Sequence, residues 1–407
     1  MPASLELHPL HRLWRAFPAN VRRHLAARGA AFMAPRIDWP PPAAREGVIV
    51  AGEIDRESGL GEGARVMLRA LRAIGVSGFP LAAGMALPGK QAAPGAAALP
   101  AGAALVLHVN SPWLPAALLR LPRGALRGRR VIGYWAWELP TLPDLWRIGL
   151  PFVHEVWVPS RFTAAAMETL LPGRVRVVPH ALAISPPEPS ALDRAAFGLP
   201  RDAVIVLVSF NLASSFERKN PLAAIAAFRA AFGTRTDRLL LLKIGNPVHF
   251  PDDFRRLREI VGDAPNIRLE TRTLPGPDSH ALTAACDIVL SLHRSEGFGL
   301  VPAEAMLLGR PVVATDWSGT REFLDESSGV PVSYRLVPAR DPRGVFEAPG
   351  AVWAEADVGA AAASLVRLAD DAALRARIGA AGRELAMRRL GPGPLAEAVR
   401  GLGLAVA

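Results

Sequence analysis

Cysteine is nearly absent from this chain of 407 residues: Cys286 stands alone, so no disulfide can close within it. Lysine is almost as scarce, with Lys90, Lys219 and Lys243 the only lysines among 47 basic residues. No apolar run reaches membrane-spanning length; the uncharged stretch from Gln91 to Trp113 is broken by Pro94, Pro100 and several glycines. At the start, His8, His11, Arg12 and Arg15 interrupt any core of a cleavable signal. There is no Asp-x-Asp, no zinc-finger spacing and no basic run interleaved with aromatics. These absences point away from a disulfide scaffold, an integral membrane protein and a nucleic-acid binder. They also point away from a metal-held diphosphate, so no metal is expected, and the cytoplasm is the expected compartment.

What is present is apolar bulk and positive charge. Half of the residues are hydrophobic, and the length suits two cores rather than one. The net charge of +10 suits anionic partners such as phosphorylated substrates or acidic lipid. From Leu7 to Ile37 there is no acid, while Arg12, Arg15, Arg22, Arg23, Arg28 and Arg36 accumulate beside Leu13, Trp14, Phe17, Val21 and Leu25. This leader, residues 1–45, reads either as a basic amphipathic element for an anionic membrane face or as a poorly ordered or protein-packed leader.

Apolar runs then alternate with helical patterns, which predicts an α/β fold of two doubly wound, Rossmann-like parallel sheets. The first domain, expected over 46–195, has strands at Gly47–Gly52, Ala104–Asn110, Arg130–Tyr134, Glu155–Ser160 and Val175–His180. A proline-rich linker runs from Ile184 to Arg201. The second domain, expected over 196–390, has strands at Ala203–Phe210, Leu239–Ile244, Ile267–Glu270, Asp287–Leu292 and Pro311–Thr315. Helical periodicity fills Val358–Leu390, and a last helix at about 394–407 is expected to return to the first domain.

Open parallel sheets bind ligands beyond the carboxyl ends of their strands. Ser295-Glu296-Gly297-Phe298-Gly299-Leu300-Val301-Pro302-Ala303-Glu304 reads there as a glycine turn after a strand, then a helix with Pro302 at its first position. Free amides in such a turn suit an anion, and the two glutamates can face one crevice. Ser215 to Pro221 carries Arg218 and Lys219 before an Asn220-Pro221 helix start, a suitable diphosphate site or else a surface basic pair. Thr315 to Glu322, with Ser318, Gly319 and Thr320, either lines a sugar pocket or simply caps a helix, and Lys243 is either a donor contact or structural. In the first domain Gly59-Leu60-Gly61-Glu62-Gly63-Ala64 formally fits a dinucleotide fingerprint. It does not follow its strand directly, however, and no acid closes a second strand, so no nicotinamide site is expected.

The glutamate-x7-glutamate string resembles the signature of retaining, nucleotide-sugar-dependent glycosyltransferases of family four, which have the GT-B fold of two Rossmann-like domains facing across a cleft. The glycine loop at Gly59 and Gly61, Val158-Pro159-Ser160-Arg161-Phe162 and Val178-Pro179-His180 resemble the family's first domain. The resemblance implies that Glu304 holds the ribose of a UDP- or GDP-type sugar and Glu296 the sugar hydroxyls. Gly297, Phe298, Gly299 and Leu300 would then present amides to phosphate, and Lys219 would meet the diphosphate, with Arg218 substituting for a separate arginine. It further implies same-face transfer to a glycan or lipid-linked hydroxyl, with Glu296, Lys219 and Arg218 as the catalytic set. The family's usual histidine after the Arg130–Tyr134 strand is replaced near Trp135. Trp135, Trp137, Glu138, His108 and His180 are the expected acceptor-side residues. A catalytically silent sugar-nucleotide binder and a GT-B epimerase or phosphorylase are the alternatives.

Overall fold

The computed structural model describes residues 16–56, 58–84, 99–122 and 124–407. Arg12, Leu13, Trp14 and Arg15 of the leader, and Lys90 with the start of the uncharged stretch, lie outside the described residues.

The first parallel sheet comprises β1 (Val48–Gly52), β2 (Gly78–Ala82), β3 (Ala104–His108), β4 (Val131–Tyr134), β5 (Glu155–Val158) and β6 (Val175–Val177), in the order β2-β1-β3-β4-β5-β6. The second comprises β7 (Val204–Asn211), β8 (Arg238–Gly245), β9 (Ile267–Glu270), β10 (Ile288–Ser291), β11 (Val312–Thr315) and β12 (Val330–Val332), in the order β12-β11-β10-β7-β8-β9. Helices cover both faces of each sheet, which is why the central strands are unbroken apolar runs. Ile49 and Ala51 enter one core while Val48 and Val50 enter the other. Val206 and Val208 in the second sheet alternate with Ile205 and Leu207 in the same way.

The expected strands are all present, and four more appear. β2 carries Pro80, which weakens a strand signal; the sheet accepts it because β2 is an edge strand. β12 is only three residues long. β13 (Tyr334–Pro338) and β14 (Val352–Ala356) form a separate antiparallel hairpin. The single helix expected over 358–390 is two, Val358–Asp370 and Ala372–Arg389, because the Asp371 carboxylate accepts from Leu374 N at 2.8 Å and starts a new helix.

The last helix, Gly393–Arg400, buries Leu395, Ala398 and Val399 against Val48 and Val50 of the first sheet. Ala44 N donates to Leu402 O at 2.9 Å, and Ala407 N donates to Ile74 O at 3.0 Å. The β13–β14 hairpin also crosses over. Phe346, Ala351 and Trp353 are buried in the core of the first domain, although they lie within the stretch expected to be wholly second domain.

Candidate functional site

Glu296 follows β10 in a turn gripped from three sides. Its N–H donates to Ser318 Oγ at 2.8 Å, and its carbonyl accepts from Gly319 N at 2.9 Å. Its carboxylate pairs with Lys219 Nζ through one oxygen and with Arg218 Nη1, 3.1 Å away, through the other. Arg218 also donates to Ser295 O at 2.7 Å and Ser214 O at 3.0 Å, and its guanidinium lies 3.7 Å from Glu138. The basic pair belongs to the short helix Phe216–Lys219, with Ser215 accepting from Arg218 N; Asn220, left-handed at φ 50°, precedes the helix Pro221–Phe232 without capping it, its side-chain amide donating to Glu355 at 3.3 Å instead. Ser215 and Ser318, on either side of Glu296, both take positive φ (75° and 70°), local strain of the kind that clusters at ligand sites.

The charges explain each other. Burial alone would raise the Glu296 carboxyl, but Lys219 and Arg218 outweigh it and hold it at about 2. Burial lowers the Lys219 ammonium, an effect Glu296 opposes. For Arg218 the neighbouring carboxylates of Glu296 and Glu138 overcome burial, and the guanidinium is raised. Glu138 is raised, first by burial and then by the Glu296 charge. The cluster is thus two cations clasping one firmly ionised carboxylate, a basic site filled by an internal anion.

Glu304 has the opposite character. The helix that carries it, Leu300–Leu307, begins two residues before the expected Pro302 start, because Gly299 at φ 100° turns the chain into it. Burial, and then the Glu62 carboxylate on the first domain's helix Gly59–Ala73, push Glu304 up to about 8. Glu62 itself pairs with Arg65 and Arg69 at 2.7 and 2.9 Å.

The first domain closes the site from the other side. Ser160, the cap of the helix Arg161–Glu168, donates to Gly297 O at 2.6 Å, and Arg161 N donates to Glu322 Oε1 at 2.7 Å. Phe298 is buried with its ring edge-on to His180 at 4.9 Å. A Cβ on Gly297 would come within 3.1 Å of Trp137 O, and one on Gly319 would collide with the Gly297 carbonyl. His180 sits 2.6 Å from where a Cβ of Gly63 would be, and Gly61 N donates to Ser58 Oγ at 3.1 Å, while Gly59 opens the helix on free space. Leu300 is half-buried at the start of its helix. Lys243 lies inside β8, between Ser209 and Glu270, two residues short of the strand end.

Two expected acceptor-side residues turn their indoles away from the site. Trp135 is fully buried, edge-on to Trp146, and a Cβ on Gly133 would lie 2.6 Å from its indole nitrogen. Trp137 is also buried, stacked on Phe346 with its indole donating to Thr141 O at 2.8 Å. Neither indole face is open to a sugar, because the end of β4 turns inward over the first core. His108 and His180 are buried; His108 stacks on Tyr134 at 4.3 Å and His180 lies tilted to it at 5.4 Å, and burial drives His108 well below its usual range and His180 to about 4.

His293 was missed. It lies just past β10, buried, 3.0 Å from Ser291 Oγ and 3.4 Å from Trp317 O, and burial lowers it to about 4. Its place between a strand end and Glu296 was the available signal. Among the described residues no three His, Cys, Asp or Glu side chains gather as a metal site, and no helix is long and apolar enough to cross a membrane.

Residues 204–371 match the family model described as glycosyl transferases group 1. A D-inositol 3-phosphate glycosyltransferase of Frankia alni is 31% identical over 177 residues, 42% of this chain and 42% of that protein. One from Nocardioides sp. is 30% identical over 227 residues, 53% of this chain and 45% of its own length. This chain therefore spans less than half the length of these curated relatives. In fold it is similar to sucrose-phosphate synthase of Thermosynechococcus elongatus, with a TM-score of 0.61 at 18% identity over 88% of this chain and 99% of that one. It is also similar to Anabaena HepE in complex with UDP-glucose, with a TM-score of 0.60 at 14% identity over 87% and 98%. The chain thus has the GT-B fold, and its match to the glycosyl transferases group 1 model lies within the second domain.

Proposed function

We propose that this protein is a retaining, metal-independent glycosyltransferase. It takes a sugar from a UDP- or GDP-type nucleotide sugar and delivers it to a hydroxyl of a glycan or lipid-linked acceptor, in surface polysaccharide or glycolipid synthesis at the cytoplasmic side. The observation that carries this reading is the convergence of Lys219, Arg218 and the Glu296 turn at the ends of β7 and β10, against the first domain. A diphosphate entering there replaces the Glu296 carboxylate on both cations, which meet the charge of the leaving group. Glu296, set free, takes a donor-sugar hydroxyl and positions the ring, and the amides at the Gly299 helix start add to the phosphate cradle. Glu304 accepts the ribose hydroxyls. The nucleotide-sugar ligand of Anabaena HepE and the names of the curated relatives support the donor class.

A membrane role for the leader is supported by its described part. Phe17, Val21 and Leu25 recur every fourth residue and are exposed, as are Phe32 and Met33. A variant beginning at residue 36 should lose flotation with anionic vesicles; equal flotation removes the leader from the account.

The donor site is tested by calorimetry with UDP and GDP. Lys219→Ala should weaken the better ligand by roughly 1.5–3 kcal/mol, the worth of a charge-assisted contact. Unchanged affinity would falsify the assignment. Product anomers followed by NMR with EDTA present test retention and metal independence. Nucleotide binding without transfer to any acceptor would leave the silent binder as the better description.

A further inference from the structure

A cavity of about 490 Å³ opens beyond the carboxyl ends of β1, β2 and β3, where Glu53, Gly84 and the run His108 to Asn110 follow those strands. Its size is that of a small-molecule site. Leu60 and Val109 form apolar wall, and Trp113 completes it from the short helical turn after β3. Trp113 is 39% exposed, whereas Trp135 and Trp137 are buried. Its indole is therefore open to this cavity.

The polar groups define what fits. Glu53 is the only charged side chain among the described lining residues. Its nearest cation, Arg56, is 3.7 Å away and 60% exposed to solvent, and Arg120 on the rim donates to Gly84 O at 3.1 Å. Asn110 accepts from Ala136 N through its side-chain oxygen at 2.9 Å, which directs its NH2 to other partners. An aromatic face, a carboxylate acceptor and an amide donor around an apolar floor match a ring with C–H groups on one face and hydroxyls at its edge. Among the described lining residues a phosphate would meet the Glu53 charge with no cation beside it but the solvent-exposed Arg56.

We propose that this cavity binds the acceptor as an unphosphorylated sugar or cyclic polyol ring, stacked on Trp113 with a hydroxyl donating to Glu53. The proposal rests on the glycosyltransferase reading and narrows its acceptor to a neutral ring. Trp113 and Glu53 are the specificity-determining residues.

The test is saturation-transfer NMR on the full chain with methyl glucoside, methyl mannoside and myo-inositol, each against its monophosphate, with UDP or GDP in the same tube. At least one neutral ring should saturate, and its monophosphate should bind about tenfold more weakly or not at all. Trp113→Ala should abolish the signal and Trp113→Phe should restore most of it. Glu53→Gln should weaken the neutral ring about tenfold and narrow its advantage over the phosphate. The nucleotide signal should be unchanged in all three variants, which also shows that they are folded. Failure of every neutral ring, equal saturation in Trp113→Ala, or preference for a monophosphate overturns the proposal. Loss of nucleotide binding in the unmodified protein, with ring binding intact, would instead remove the transferase reading and leave the cavity's chemistry standing.

Discussion

Glu296 and Glu304 are eight positions apart, yet one is held at about 2 and the other pushed up to about 8. Glu296 is buried and Glu304 half-buried; the difference is that Glu296 touches two cations, while the Glu62 carboxylate adds to the desolvation of Glu304. The signs lead to opposite behaviour with pH. The lowered Glu296 contributes stability that is present above its ordinary value of 4.5 and is lost as pH falls through about 2. The raised Glu304 binds more protons folded than unfolded between 4.5 and about 8, so stability declines as pH rises across that window. Urea titrations of Glu304→Gln should show a shallower decline than the parent over the same window. If ribose hydroxyls need the carboxylate, nucleotide affinity should rise from about pH 7 to about pH 9 in the parent and stay level in Glu304→Gln. Parallel profiles in calorimetry would mean that Glu304 does not touch the nucleotide.

At the scale of elements, glycines at helix starts hold their positions for different reasons. Gly299 takes φ +100°, and a Cβ there would stand 2.6 Å from Thr320 Cγ2. Gly299→Ala should therefore lower stability by about 1–3 kcal/mol. Gly276, at the first position of the helix Gly276–Ala285, has open space around its missing Cβ, and Gly276→Ala should be neutral or stabilising by up to about 1 kcal/mol. Denaturant midpoints for the two variants check the contrast; equal midpoints would mean that the turn is not under the constraint described. The same turn shows how far local signals reach. The strand before Glu296 and the helix after it are legible from β-branched residues, glycines and good helix formers. The helix start was placed at Pro302 because proline favours the first helical position, but the left-handed Gly299 opens the helix two residues earlier.

At the scale of the whole molecule, the loop of the β13–β14 hairpin ties the two domains together. Phe346 stacks on Trp137 of the first domain at 5.3 Å, and the Arg218 guanidinium of the second lies 5.5 Å from the same ring. Asp341 accepts from Val345 N and Phe346 N at 2.8 and 3.2 Å, and Arg23 of the leader helix donates to Gly344 O at 2.9 Å. The first domain's core is thereby completed by residues from more than 150 positions downstream. Phe346→Ala should cost about 3–5 kcal/mol, as truncation of a buried aromatic does. It should also speed amide exchange across residues 135–146; protection there equal to the parent would show that the loop is not a tie.

Sequence alone determined the two alternating sheets, the glycine turn with its paired glutamates and the scarce lysine beside an arginine. Each of these depends on near neighbours: a strand needs a buried run, a turn needs glycine, and a helix start needs its capping residues. It did not decide which indole faces outward, that Glu296 clasps Lys219 and Arg218, or that a late hairpin fills the first core. Trp113, Trp135 and Trp137 share the same local chemistry, and only packing over the end of β4 buries two of them and leaves the third at the cavity. Burial and ion pairing depend on residues far apart in the chain, and those distances exist only once the two domains have closed on each other.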